Sequence, residues 1–469
     1  MATNIAVMVL YFGVTIGIGL YFGGKKTESS SDYTVSGRKL GGFVYLLTMI
    51  ATMVGASSVM GGVSYWSRRG LSQIWYWFGG HLQTLIFLLY LGPRINAFGR
   101  EHGGETIGDW FIYRYGKVSK FLASVLIALA YVAITAFQYL AMAVILNLVF
   151  NIPFNVALLI TSVVVVFYTS VGGLWAVVTT DIFQGILTWL GVIVMGILFY
   201  SRAGGIQPII KALPPEHLRW FGNVTPWNAF ASMLTLGLGI ISWPDVWQRI
   251  YAVKNIRTYR QSTVVNLIIG IFLTAAVCGL GFASRVLMPD YSGSPNNMLP
   301  LMILNYFPNV VGAIFFAVLL AVIMGSADSV LLVSGIIISK DIIEPFFKRP
   351  RTDKEILRFR KIVTAVTGFF TLIVLFFSTD MFTLWVMSAD ITGATLAVPI
   401  LFGFAWKRPD ERAVLASIIF GFAGWLVFTV FKFPVPINAI LPGALLSLIA
   451  YVVTAFAAPP RKGKAPAHA

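Results

Sequence analysis

Residues 39–66 read Lys39-Leu-Gly-Gly-Phe-Val-Tyr-Leu-Leu-Thr-Met-Ile-Ala-Thr-Met-Val-Gly-Ala-Ser-Ser-Val-Met-Gly-Gly-Val-Ser-Tyr-Trp66. About 20 apolar residues suffice to cross a bilayer, so the run is long enough. Its middle is Gly55-Ala-Ser-Ser58 followed by Gly61-Gly62, small and polar residues in the part that lipid would surround. A second apolar run, 228–250, is interrupted in a corresponding way by Gly237-Leu-Gly239 and Ser242-Trp-Pro244. Proline has no amide to donate and kinks a helix. Lipid cannot satisfy a freed backbone group, so such breaks persist where the backbone lines a polar cavity. Small residues also serve close helix packing. The two breaks open successive five-helix blocks, and weak helices in corresponding positions of two halves point to an inverted-repeat transporter.

The remainder of the chain fits that frame. Of 469 residues, 58% are hydrophobic and 11% charged, and the mean hydropathy is +0.82. A soluble domain carries about 45–50% apolar and about 25% charged residues, so a soluble globular protein and a disordered one are both excluded. Thirteen spanning segments are expected: 4–24, 39–66, 71–93, 120–149, 153–171, 175–201, 228–250, 262–288, 309–339, 361–379, 381–405, 411–431 and 437–458. The chain is thus expected to be an all-α polytopic membrane protein. Its parts are an extra N-terminal helix and first inside loop (1–38), a first repeat (39–203), an outside loop (204–227), a second repeat (228–405), and two further helices with a short basic tail (406–469). The first apolar run has no basic residues before it and no clear cleavage site, and reads as a retained helix.

The formal charge of +16 would suggest nucleic acid in a soluble protein. Here it tests topology instead. With residue 1 outside, 27 of the 34 Lys and Arg fall in inside loops and 7 in outside loops. That bias places the N-terminus outside and the C-terminus inside a cell membrane. The partners expected are therefore lipid, a small solute and a cation, with no nucleic acid, in a monomer. One cysteine, Cys278, allows no disulfide within the chain, and no cofactor or enzymatic residue set stands out.

Acids inside apolar segments are functional candidates by default. Asp181, Asp328 and Asp390 lie within segments 6, 9 and 11, and Asp245 follows the break in segment 7. Asp328 shares its turn with Ser326 and Ser329, a hard oxygen set suited to a small hard cation. Asp181 is a candidate partner acid. Asp390 reads equally as a site residue or a structural pair, and Asp245 as a partner of Arg249 one turn on. Trp75 and Trp77 read as interfacial anchors, and His81 as a hydrogen-bonded helix residue. Trp243, at the second break, reads equally as stacking or packing. No Lys or Arg is expected at mid-membrane, so an anionic substrate would rely on helix-end amides and hydroxyls.

Several runs carry a family resemblance. Thr169-Ser-Val-Gly-Gly-Leu-Trp-Ala-Val-Val-Thr-Thr-Asp-Ile-Phe-Gln184 resembles the Gly-Gly…Ala-Val…Thr-Asp-x-x-Gln run of the sodium/solute symporter family, which includes proline, sugar, sialic acid and monocarboxylate carriers. Ser31-Asp-Tyr-Thr-Val-Ser-Gly-Arg38 and Pro244-x-x-x-x-Arg249 match two further elements. So does Met324-Gly-Ser-Ala-Asp-Ser-Val-Leu-Leu332, followed by Lys340-Asp-Ile. The resemblance implies a five-plus-five inverted-repeat core of the leucine-transporter type, with sodium held between segments 2 and 9. Its ligands would be the carbonyls of Ala51, Val54 and Val322 and the hydroxyl of Ser326. A second cation site of some members maps onto Asp181, Asp328 and Ser329. Position 325 is Gly where the family often has Ser, which leaves the driving ion open between sodium and a proton. Position 53, an Asp in the proline carriers, is Met and argues against a proline carrier.

The function expected is a secondary active symporter of a small organic solute, an amino acid or a monocarboxylate, with Gly55, Ser57, Ser58, Gln138, Trp243 and Asp390 as candidate substrate residues. A proton-coupled carrier of the same fold and a non-transporting sensor or scaffold are the competing readings.

Overall fold

The computed structural model describes residues 2–222, 224–375, 381–431 and 438–457. Their regular structure is helical, save one isolated backbone bridge between Leu40 and Val253. By length and composition, eight helices can cross a membrane alone, and two bent pairs raise the number to ten. Over the described residues, segments 1, 4 and 8–13 coincide with single helices, segments 2 and 7 with the bent pairs, and segment 3 with helix Ile74–Ile86 and the turns beside it. Segments 5 and 6 are the legs of one 49-residue helix, Phe154–Arg202, bent at Gly173. Gly173 has φ +58°, and a Cβ there would lie 2.3 Å from Tyr33 Cδ2, so both conformation and space demand glycine. The ends of segments 10 and 13, Lys432 and the basic tail fall outside the described residues.

The helices divide into a lipid-facing rim and a buried middle. Leu129 is 65% exposed while Ile127, two residues earlier on helix Lys117–Phe150, is fully buried. Helix Asn309–Ile336 has no such asymmetry over its second half. Every residue from Val318 to Ile336 is buried, which makes it the central post of the molecule. Helices Phe154–Arg202 and Lys117–Phe150 pack on it, together with helix Gly42–Met53, the first half of segment 2.

The two expected breaks are real bends of 57° and 49°. Helix Gly42–Met53 stops at Val54, whose φ −103° and ψ 91° are extended. The chain then restarts at Ala56 and runs on through Gly62–Arg69. In the second bend, helix Pro226–Gly239 gives way to Ile240–Ser242 and an extended Trp243, and a new helix begins at Pro244 and ends at Ala252. Pro244 therefore opens a helix, at the position where a missing amide costs nothing. Helices Gly42–Met53 and Pro244–Ala252 are tied together through the residues beside them. Leu40 N–H donates to Ala252 O at 3.0 Å, Lys254 N–H to Leu40 O at 3.0 Å, and Gln248 Nε2 to Thr34 O at 2.6 Å.

An ion-pair network closes the expected inner side. Lys340 Nζ lies 2.8 Å from both Glu105 and Asp109, Lys120 lies 2.9 Å from Asp341, and Arg360 lies 2.8 Å from Glu344. Asp109 also forms a capping box with Thr106 at the start of helix Ile107–Arg114. Burial pushes the Asp109 carboxyl up, but the Lys340 ammonium, backbone hydrogen bonds and Lys120 outweigh it and hold it at about 2. That is below the ordinary aspartate value of about 3.9. Asp109 thus contributes about 2 kcal/mol, fully present above about pH 5 and lost as pH falls toward 2. The Tm of Asp109→Asn should lie below that of the wild type at pH 6, and the gap should narrow by about half by pH 3. A gap independent of pH would remove the ion pair as its cause.

Candidate functional site

At the first break, backbone groups freed from the helix meet side chains from its neighbours. Ser326 Oγ lies 3.2 Å from Ala51 O and 2.9 Å from Thr52 O. Ala56 N–H donates to Gln138 Oε1 at 3.2 Å. Val322 stands one turn before Ser326 on the same buried helix face, and Val54 is the extended residue itself. Two carbonyls and a hydroxyl thus converge, with no carboxylate among them. The oxygen dipoles at this point are neutral, which suits a singly charged hard cation. Among the described residues, no group of three or more His, Cys, Asp or Glu is arranged to hold a metal ion.

Gly325 explains the departure noted at that position. A Cβ there would lie 2.9 Å from Ala51 Cβ and 3.1 Å from Ala51 O. Helix Asn309–Ile336 sits too close to the break to accept one. Overpacking of this kind costs about 1–3 kcal/mol, so Gly325→Ser is expected to lower Tm by several degrees rather than simply supply a ligand. An unchanged Tm with tighter sodium dependence would refute that.

Thr52 Oγ1 lies 3.1 Å from Ser329 Oγ and links this point to a second polar cluster. There Arg249, fully buried, donates from Nη2 to Ser329 Oγ at 2.6 Å and to Asp181 Oδ2 at 3.3 Å, and from Nε to Thr48 Oγ1 at 3.0 Å. Thr48 also donates to Asp181. Asp328 accepts from Tyr168 at 2.9 Å, with Ser329 at 3.3 Å and Thr180 at 3.5 Å. The structure brings Asp181, Asp328 and Ser329 together, and it places an arginine between them.

That arginine corrects three expectations. Arg249 is counted as an inside-loop charge in the topology argument, yet its side chain is fully buried. Its ion pair is with Asp181, and toward residue 245 it reaches only the backbone carbonyl, at 3.3 Å. Asp245 is instead bonded by Tyr131, at 2.7 Å. A basic residue therefore does stand in the buried middle. Its place four residues after Asp245, on a short helix opened by Pro244, is the signal that could have found it, since one turn puts both on the face turned toward the neighbouring helices.

Beside the breaks lies a cavity of about 130 Å³. Ser57, Ser58 and Trp243 line it, as do Tyr76, Trp77 and His81, which were not assigned to a site. Trp243 packs edge-on against Trp385, with ring centroids 4.8 Å apart. Gly55 and Gln138 stand behind the wall. A Cβ on Gly55 would lie 2.6 Å from both Gln138 Nε2 and Ser326 Oγ, and Gln138 serves the break rather than the cavity. Asp390 is not on the wall either; it accepts from Thr235 at 2.8 Å, between two helices. Of its two readings, site residue or structural pair, the hydrogen bond to Thr235 fits the second.

Two broken helices crossing a central post, with a cavity at the breaks, define a membrane carrier. The family model of the sodium:solute symporter family matches residues 33–421. The chain belongs to that family. The osmoregulated proline transporter of Bacillus subtilis is 27% identical over 462 residues, 95% of this chain and 92% of that one. The sodium/pantothenate symporter of Escherichia coli is 25% identical, over 95% of both. Among solved structures, a sodium-coupled sialic acid symporter in a substrate-bound outward-open state has a TM-score of 0.85 at 21% identity, over 99% of each chain. Mhp1, a nucleobase-cation-symport-1 family transporter, has a TM-score of 0.63 at 14% identity, over 91% of this chain and 94% of that one. The fold is that of the leucine-transporter type.

Proposed function

We propose that the protein is a secondary active symporter that couples inward movement of sodium to uptake of a small organic solute, an amino acid or a monocarboxylate. The observation that carries this is the convergence of Ala51 O, Thr52 O and Ser326 Oγ at the break, directly behind the cavity wall formed by Val54, Ser57 and Ser58. A cation held by those carbonyls orders the break, and the ordered break completes the wall against which the solute rests. Ala51, Val54, Val322 and Ser326 are the proposed sodium residues, and Ser57, Ser58 and Trp243 the proposed solute residues. The relatives, a transporter of proline and a symporter of pantothenate, support a small carboxylate-bearing solute. The proposed orientation is N-terminus outside and C-terminus inside, and the proposed working unit is the monomer. One charge moving through 100 mV yields about 2.3 kcal/mol, enough for about 50-fold accumulation.

Asp328 favours a second reading. Its side-chain partners are the hydroxyls of Tyr168, Thr180 and Ser329, while the neighbouring arginine pairs with Asp181, so Asp328 is a place for a proton. Uptake of labelled proline, pantothenate and short monocarboxylates into proteoliposomes decides between them. A sodium gradient should drive accumulation that a potassium gradient does not. Accumulation driven by a pH gradient alone would favour the proton, and no accumulation under any gradient would favour a sensor or scaffold.

A further inference from the structure

A second cavity, of about 380 Å³, opens where helices Ile107–Arg114 and Lys117–Phe150 meet the turn that follows helix Asn309–Ile336. Lys117 and Lys120 stand on its wall, with Ile112, Val118, Phe121 and Phe346 beside them. None of these residues lines the cavity at the breaks. The cleft lies at the ends of segments 4 and 9 and so at the membrane surface, and the bias of Lys and Arg makes that surface the inner one.

The two lysines occupy the first turn of helix Lys117–Phe150. A helix start carries partial positive charge, so a cation there is unfavourable. Lys120 is compensated by Asp341, 2.9 Å from its Nζ, and by Asp109 at 3.7 Å. Lys117 is exposed and forms no ion pair among the described residues. The amides of the helix start are already engaged, because Val118 and Ser119 N–H donate to Glu411 Oε1 at 2.9 and 3.3 Å. The acid on the wall, Asp341, is answered from the interior. Its Oδ1 accepts from Thr106 at 2.9 Å, and a Cβ on Gly108 would lie 2.5 Å from Oδ2. The Lys117 ammonium is therefore a charge that neither the helix nor a neighbouring acid uses.

The rest of the wall is apolar and open. Phe346 is 70% exposed, and Ile112, Val118 and Phe121 are exposed as well. Phe121 and Phe346 meet edge-on, with ring centroids 6.5 Å apart. Just beyond, Lys348, Arg349 and Arg351 are exposed, and Glu355 is the acid paired with the two arginines. Basic clefts between helices at the cytoplasmic surface suit anionic headgroups, and apolar side chains at that depth meet acyl chains.

We propose that this cleft binds an anionic phospholipid: the phosphodiester of its headgroup meets the ammonium groups of Lys117 and Lys120, and its acyl chains lie against Val118, Phe121 and Phe346. Charge complementarity selects the headgroup, since a zwitterionic lipid brings an ammonium of its own. Lys120 also belongs to the ion-pair network that closes the expected inner side, so a bound headgroup touches that closure through the Lys120–Asp341 pair. The site goes beyond the symporter reading and requires neither a particular solute nor a particular ion.

The test is a thermal-shift titration of the full chain in detergent micelles. The probes are phosphatidylglycerol, phosphatidylcholine, glycerophosphoglycerol (the headgroup without chains) and inorganic phosphate. A ligand that binds the folded state raises Tm. Phosphatidylglycerol should raise Tm and saturate, phosphatidylcholine should do so far less, and the two soluble phosphates should not. Lys117→Gln should weaken phosphatidylglycerol about fivefold, the contribution of one lysine at an anionic surface. Its lipid-free Tm should not fall below that of the wild type, because no ion pair is lost and a charge opposed to the helix dipole is removed. Lys117→Arg should bind as the wild type does, and Phe346→Ser should weaken binding through the lost chain contact. Lys348→Gln, which removes an exposed charge off the wall, should bind as the wild type does.

Equal shifts by phosphatidylcholine would overturn the proposal. So would equal shifts by either soluble phosphate, which would make the cleft a site for free phosphate. Unchanged phosphatidylglycerol affinity in Lys117→Gln would overturn it too, and so would a loss in Lys348→Gln as large as that in Lys117→Gln, which would mark a diffuse attraction to the basic surface.

Discussion

Arg249→Gln is expected to cost about 3–5 kcal/mol of stability and to abolish solute uptake. Arg249 and Asp181 are both fully buried and 3.3 Å apart, so the variant leaves Asp181 with Thr48 and no countercharge. Removing one partner of a buried pair is far more damaging than removing both, because the survivor remains charged in a medium that cannot solvate it. The double variant Asp181→Asn/Arg249→Gln should therefore recover most of the lost Tm. Uptake should not recover with it. Arg249 bonds Thr48 on the inner half of the first broken helix, Asp181 on helix Phe154–Arg202 and Ser329 on helix Asn309–Ile336. Its own helix, Pro244–Ala252, is tied by backbone bonds to Leu40 ahead of that first half. If the two inner halves move together to open the site inward, this guanidinium is what must let go and re-form. Arg249→Lys retains the charge but not the planar fork that serves three partners at once, and it should transport slowly. Detergent Tm values and proteoliposome uptake on the four proteins test this. A single variant as stable as the wild type, or a double variant with full uptake, would remove the role.

Ser326→Ala carries the second large effect. Among the described residues, the hydroxyl is the side-chain oxygen that donates to Ala51 O and Thr52 O. A hydrogen bond or equivalent contact to a charged group contributes about 1.5–3 kcal/mol, so the sodium concentration for half-maximal uptake should rise about 10- to 100-fold. Uptake at saturating sodium should remain measurable, because the two carbonyls persist. Ser326→Thr keeps the oxygen and should stay near the wild type. Uptake by Ser326→Ala with unchanged sodium dependence would sink the assignment of the cation to the first break and move attention to Asp181 and Asp328.

The sequence was a good guide wherever the signal is one-dimensional. Apolar length marks each spanning segment, since every helix must cover the same hydrocarbon thickness. The Gly-rich run at 55–62 and Pro244 mark the two bends because backbone that leaves the helix in lipid needs residues that tolerate it. The matched motifs lead to the family, and Ser326, Asp328 and Ser329 share one fully buried helix segment as their spacing requires.

What a string of residues does not carry is which groups from distant segments meet. Arg249 reads as one more loop charge by position, yet it lies 3.3 Å from an acid 68 residues away. Gln138 and Asp390 read as cavity residues by polarity, but one caps the break and the other accepts from Thr235. His81 reads as a hydrogen-bonded helix residue, and the structure supplies the partner, Thr274 Oγ1 at 3.2 Å on a distant helix. The physical reason is the same in each case. Crossing a membrane is a property of a segment, fixed by its own length and hydropathy. The partner of a buried charge or donor is fixed by packing between segments, and that arrangement exists only in the folded molecule.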